Sequence, residues 1–295
     1  MEFFLQLTIN GVVVGSIYSL VALGFVIIYK SSGILNFAQG EFLLLGAYVF
    51  LAIVTHAHVP VLPALLLTFL FSATLGLILE RVILRPLIGE PIISVIMVTL
   101  GLSSVLRAIV QGIWGTDTRP MPSVFSLEPI QLGPLPVARG YLYAAGSVAV
   151  LLVLLTAFFK YARAGIAMRA TAASQQVSLS MGISVRRIFA LSWSIAAVVS
   201  AFGGVLLGTM RGGVDGSLAV LGLKVLPVVI VGGLDSIGGA ILGGVLVGIL
   251  ENLAGGYLDP LFGGGVKEVA PFVALVLILM VRPYGLFGRV RIERV

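Results

Sequence analysis

Residues Leu5 to Tyr29 read LQLTINGVVVGSIYSLVALGFVIIY, a run of 25 residues without a charged side chain. Wound as an α-helix at about 1.5 Å per residue, it is long enough to cross a hydrocarbon core roughly 30 Å thick. The same kind of run recurs along the chain, at 34–54, 60–80, 91–113, 140–159, 188–210, 218–234, 237–257 and 266–281. Hydrocarbon offers no partner to a backbone N–H or C=O, so each crossing has to satisfy its own hydrogen bonds. The runs are too long and too evenly apolar for the alternating strands of a barrel. They predict an all-α polytopic membrane protein of about eight to ten transmembrane helices, rich in glycine, with residues 1–295 forming one transmembrane domain.

Composition agrees. Of 295 residues 59% are hydrophobic and 10% charged, and the mean hydropathy is +1.16. A soluble domain carries about 25% charged residues, which it needs to cover its surface. The net charge of +6 sits in short loops between spans, where it carries topology information and makes no nucleic-acid patch. The absence of cysteine excludes disulfides, thiolate nucleophiles and cysteine-bound metals. The four lysines follow Tyr29, Phe159, Leu223 and Val266. None follows glycine, so the chain holds no Walker-type phosphate loop. HExxH and GxSxG patterns are missing too, and His56 and His58, two residues apart in a loop, have no companion ligands. No catalytic residue, metal or cofactor is expected.

The basic residues set an orientation. One group of loops and tails carries 12 of the 18, from Lys30, Arg81 and Arg85 through Lys160–Arg187 to the C-terminal arginines. The opposite group carries only Arg119, Arg139, Arg211 and Lys267, while Arg107 and Lys224 fall inside spans. The richer side is expected in the cytoplasm. That puts the N-terminus outside and the C-terminus inside a bacterial plasma membrane, and it requires an odd number of crossings. Segment 218–234, short and interrupted by Pro227, tests that parity; it reads either as a full crossing or as a broken helix. The proline-rich stretch 114–139 is expected to be extended.

Ionisable residues within apolar spans are costly and tend to be functional. Glu41 opens a long apolar run, Glu251 lies in a glycine-rich one, Arg107 and Lys224 each need a partner or a water path, and Glu80 is expected to snorkel beside Arg81. Glu41 belongs to the pattern Asn36-Phe37-Ala38-Gln39-Gly40-Glu41. On a helix Asn36, Gln39 and Gly40 share a face. Such a face serves either as interhelical hydrogen bonding or as the lining of a conduit, with Glu41 and Glu251 as further candidates for that lining. The pairs Gly11/Gly15, Gly204/Gly208, Gly239/Gly243 and Gly244/Gly248 allow close helix packing, and the two Gly-rich regions near 11–46 and 203–248 hint at a weak internal repeat.

Two further patterns lie between spans. Residues 166–181 read as a short helix that Gly182 ends, with Ile166, Ala170, Ala173, Val177 and Met181 on one apolar stripe. The stripe rests either on lipid headgroups or in the groove of a partner protein. In Gly232-Gly233-Leu234-Asp235-Ser236-Ile237-Gly238-Gly239-Ala240, Asp235 or Ser236 is placed to cap the following helix.

Through these patterns the sequence resembles the permease subunits of branched-chain amino-acid ABC importers, of the LivH type. The likeness runs over nearly the whole chain: Asn10-Gly11, the segment Gly15 to Tyr48, the loop Arg169-Ala170 to Gly182-Ile183, and Gly232-Gly233 to Gly239-Ala240. The resemblance implies a second permease subunit, identical or homologous, two cytoplasmic ATP-binding subunits, and a periplasmic or extracellular solute-binding protein. It also implies that Arg169, Ala170, Ala173, Val177, Met181 and Gly182 belong to a helix that couples to the ATPase. Ser174, Gln175 and Gln176 stand where that family often has acidic residues, so a charged contact there does not carry over. The expected function is a non-catalytic translocation subunit for branched-chain or other hydrophobic amino acids. Urea or short amides are alternative cargoes. A stand-alone secondary carrier or channel, coupled through Glu41, Lys224 or Glu251, is the rival from another class. An intramembrane enzyme has no nucleophile–base set to support it.

Overall fold

The computed structural model describes residues 1–88, 90–122, 129–132 and 135–288. Its helices are α1 (Glu2–Ser32), α2 (Gln39–Thr55), α3 (Val61–Leu79), α4 (Ile92–Trp114), α5 (Arg139–Tyr161), α6 (Arg163–Ala173), α7 (Gln175–Ser180), α8 (Val185–Arg211), α9 (Ser217–Gly232), α10 (Ile237–Tyr257), α11 (Asp259–Phe262) and α12 (Val266–Val281). Among the described residues six helices are long and apolar enough to cross a membrane, with α3 counted through its extension to Leu87; α2 and α9 are shorter apolar helices. The protein is an all-α polytopic membrane protein. The remaining regular structure is slight: β1 (Arg119–Pro120) pairs antiparallel with β4 (Gly213–Val214), and β2 (Pro129–Leu132) with β3 (Leu135–Ala138). The extended backbone expected for 114–139 is found in these strands; the rest of that stretch includes 123–128 and 133–134, outside the described residues.

Two expected boundaries shift. The run at 34–54 becomes a helix only at Gln39, because Asn36 forms a turn in which its Oδ1 accepts from the Ala38 N–H at 3.0 Å. Asn36 therefore precedes the helix and is not on its face. In place of segment 218–234 stands a continuous helix, Ser217–Gly232, of 16 residues through Pro227, about 24 Å long. The proline removes one N–H from the ladder and leaves the helix unbroken.

The chain divides into two compact units. One contains residues 27–122 and 150–223, and its centre is α8, flanked by α2 and α3. Small residues let the backbones meet. A β-carbon on Gly204 would strike the Leu43 carbonyl of α2, and one on Gly46 would strike Ala201 of α8. Around these contacts Phe42 meets Trp193 edge to face at 5.9 Å, and Phe69 meets Phe202 at 5.7 Å. By contrast α4 has only a narrow buried stripe, Val95, Thr99, Leu102, Leu106 and Val110. Its remaining apolar side chains face outward, as suits a helix bordered by lipid or by another subunit.

The other unit contains residues 1–26, the described part of 125–149, and 224–288. Here α10 lies against the first half of α1. Gly15 meets the backbone at Gly244 and Val245, and Gly248 meets Gly11 and Gly15. Ser19 Oγ lies 2.7 Å from the Ile241 carbonyl and 2.8 Å from its own Gly15 carbonyl. Ser236 caps α10 by accepting from the Gly239 N–H at 3.0 Å. The tail folds back on the end of α9, with the Leu286 N–H on the Val231 carbonyl at 2.8 Å.

Candidate functional site

In the α8-centred unit, the start of α2 brings the polar residues of the Asn36–Glu41 pattern into a cluster. Asn36, Gln39 and Glu41 are buried, at 0%, 0% and 1% exposure. Gln39 Nε2 donates to Ser200 Oγ at 2.6 Å, and Asn36 Nδ2 donates to Gln39 Oε1 at 3.3 Å. Gly40 admits the backbone of α9 at Ala219 and Gly222. Glu41, on the first turn of α2, receives three hydrogen bonds from α4: Arg107 Nη2 at 2.6 Å, Arg107 Nε at 3.0 Å and Ser103 Oγ at 3.0 Å. The Asn36–Gln39–Ser200 contacts are interhelical hydrogen bonding, one of the two readings the sequence left open. Arg107 does not snorkel outward; it is the partner of Glu41.

Three other ionisable groups found in spans are also placed. Glu80 does not snorkel beside Arg81. Its side chain is 1% exposed and takes both carboxylate oxygens to Arg85, at 2.8 and 3.3 Å. Residues Glu80–Leu84 form a π-helical turn, with the Arg85 N–H on the Glu80 carbonyl. Such i→i+5 bonding brings residue 85 back over residue 80. In the α10-centred unit Lys224 meets Glu268 at 3.2 Å. Glu251, in that same unit, is 4% exposed. Along α10 and α12 runs a groove of about 610 Å³, lined by residues such as Leu250, Leu253, Tyr257, Val273 and Leu277. It offers almost no polar group to orient a solute.

The loop segment 163–183 departs from the single helix expected for 166–181. Ser174 takes an extended conformation (φ −159°, ψ 117°), closing α6 and opening α7. Its Oγ accepts from the Val177 N–H at 3.3 Å, which satisfies an otherwise free donor of the new helix. The end of α7 is a Schellman closure: the Ile183 N–H reaches the Ser178 carbonyl at 2.9 Å, the Gly182 N–H reaches Leu179 at 3.0 Å, and Gly182 has φ +79°. Met168, Thr171 and Ser178 are buried beneath the pair. The outward face carries Ile166, Val177, Leu179 and Met181, from 47% to 77% exposed. Ala173 and Arg169 are exposed beside them, and Ala170 is half-buried. Leu179, which the single-helix stripe omits, is exposed as well.

Beyond the spans, Asp215 in the α8–α9 loop accepts from Ser217, through side chain and backbone, and from Thr118 Oγ1 at 3.1 Å. These hydrogen bonds, led by the Ser217 hydroxyl, hold its carboxyl below the ordinary carboxylate range. They tie α9 to the β1–β4 ribbon. The Glu41–Arg107 pair was within reach of the sequence, since two opposite charges each stranded in an apolar run need partners. Ser103 and Ser200 gave no such signal.

Comparison with known proteins follows this layout. Residues 7–282 match the family described as the branched-chain amino acid transport system permease component. The high-affinity branched-chain amino acid transport system permease protein LivH of Escherichia coli is 31% identical over 99% of this chain and 98% of its own. The corresponding protein BraD of Pseudomonas aeruginosa is 32% identical, with the same coverage. LivH of Methanocaldococcus jannaschii, there a probable permease, is 27% identical over 95% of this chain and 91% of its own. A chain of PsaBC from Streptococcus pneumoniae, solved in complex with Fab, superposes with a TM-score of 0.54 at 15% identity, covering 97% of this chain and 94% of that one. At that identity the likeness is one of fold. Full-length sequence similarity, glycine-packed apolar helices and an exposed loop-helix pair agree: the chain belongs to the branched-chain amino acid transport system permease component family.

Proposed function

We propose that this protein is the membrane-spanning translocation subunit of an ATP-driven importer for branched-chain or other hydrophobic amino acids. On this reading residues 1–295 act as one permease domain in the bacterial plasma membrane, with the N-terminus outside and the C-terminus in the cytoplasm. ATP is hydrolysed by two separate subunits. A second permease subunit completes the pathway, and a solute-binding protein delivers cargo. Asn36, Gln39, Gly40, Glu41 and Glu251 belong to the wall of that pathway. On this reading the side chain of the cargo is set chiefly by the binding protein, so urea or short amides are the alternative cargo.

The observation that carries the reading, beside family membership, is the uncovered apolar face of α6–α7. Ile166, Val177, Leu179 and Met181 stand out of a short helix pair at the end of the chain's basic side. Burying a Val or Leu side chain is worth about 1.5–3 kcal/mol, so such a face is suited to a protein groove. The chain has no Gly-Lys-Ser/Thr loop, and on this reading the energy arrives from another subunit, through a surface of this kind.

The test is the double variant Ala173→Glu with Val177→Glu, which puts two charges on the docking face. It is expected to insert normally but to lose ATP-dependent uptake by at least about tenfold, as the cost of burying unpaired carboxylates dictates. Normal ATPase binding with normal uptake in this variant rules the docking face out. Concentrative uptake by the purified chain alone, without nucleotide, establishes the carrier instead.

A further inference from the structure

Two Arg–Glu pairs in the same unit, each with a buried carboxylate, are built differently. At Glu80, Arg85 spreads over both oxygens, Nη2 on Oε2 at 2.8 Å and Nε on Oε1 at 3.3 Å. At Glu41, all three donors converge on Oε1, and Oε2 is buried with no hydrogen-bond partner among the described residues. An ionised carboxylate accepts on both oxygens, and a buried acceptor without a donor is a rare and costly feature. The guanidinium is open as well. Arg107 gives Nε and Nη2 to Glu41, makes no hydrogen bond through Nη1 among the described residues, and keeps its side chain 35% exposed against 1% for Glu41. Ser104, one turn before it, and Ala108 beside it are small and exposed.

One ion pair therefore carries a carboxylate oxygen without a donor and a guanidinium nitrogen without an acceptor among the described residues. A free amino acid carries the complementary pair of groups on a single carbon, an ammonium with three donors and a planar carboxylate that suits a guanidinium edge. We propose that Glu41 Oε2 receives the α-ammonium, and the open edge of Arg107 the α-carboxylate, of an amino acid passing through the permease. Ser103 acts as a positioning residue by holding Oε1. The site reads the backbone zwitterion and leaves the side chain to apolar surroundings, which explains how one pathway serves several hydrophobic amino acids. The proposal rests on the importer reading above and names the cargo's contact within it.

The experiment uses the complete importer in proteoliposomes, with labelled L-leucine as probe. Glu41→Gln keeps the shape and the bonds on Oε1 but removes the charge. It is expected to lower uptake by at least about tenfold while thermal stability, and ATPase stimulation by the loaded binding protein, stay within about twofold of wild type. The double variant Glu41→Gln with Arg107→Gln leaves no lone buried charge, so it is expected to fold and still fail in uptake. Wild-type uptake by either variant overturns the site. So does an uptake loss in Glu41→Gln that tracks a loss of stability and is restored in the double variant, because that pattern belongs to a purely structural ion pair. Absence of ATP-dependent uptake in the wild-type complex instead defeats the importer reading, and is told apart by its independence of either variant.

Discussion

Gly204 shows how much a single hydrogen atom decides in this protein. In lipid, helices gain nothing from burying apolar side chains against each other, since the lipid tails are equally apolar; association depends on close van der Waals contact. At Gly204 the backbone of α8 lies against the Leu43 carbonyl of α2, and a β-carbon there has no room. Gly204→Val is expected to lower stability by about 1–3 kcal/mol or more, by forcing the helices apart. Gly101 of α4 is the control, because a β-carbon there meets nothing within 4 Å. Gly101→Ala is expected to be neutral or to stabilise by up to about 1 kcal/mol through helix propensity. Thermal unfolding of both variants in the same detergent checks the contrast; equal effects contradict the packing argument.

At the scale of elements, the informative feature is the break between α6 and α7. Neither Gly nor Pro makes it. Ser174 does, by offering its hydroxyl to the Val177 N–H while its backbone turns extended. Serine competes with the helix ladder for backbone partners, and so it favours a helix start over a helix interior. The break separates a half that packs Met168 and Thr171 inward from a six-residue half that turns Val177 and Leu179 outward. Ser174→Ala removes the cap, worth about 1 kcal/mol. Amide hydrogen exchange at Val177 is then expected to quicken about fivefold, with α8 unchanged. If exchange is unchanged at Val177, the serine is a bystander and some other contact sets the break.

At the scale of the whole molecule the open question is topology. The natural absence of cysteine allows single cysteines to be read without background. With nine crossings, cysteines replacing His58 and Leu261 are expected to react with a membrane-impermeant maleimide in intact cells. Cysteines replacing Val177 and Tyr284 are expected to react only after permeabilisation. If the 16 residues of α9 dip in and return, Leu261 changes to the Val177 side. That single switch separates an odd from an even number of crossings, because every later loop inverts with it.

The amino-acid order alone determined the membrane class and the approximate place of most apolar helices, because hydrocarbon penalises any unpaired backbone group and so writes its thickness into run length. It also determined that no ATP loop exists, since that site needs fixed neighbours in sequence. What only the tertiary structure decided is which distant residues meet. Glu41 and Arg107 are 66 positions apart, and Gln39 and Ser200 are 161 apart. Glu80 finds Arg85 rather than Arg81 because a π turn rotates one past the other. Helical periodicity orders side chains around one axis, but it says nothing of which face of which other helix lies opposite. That pairing is fixed by where glycines let two backbones touch.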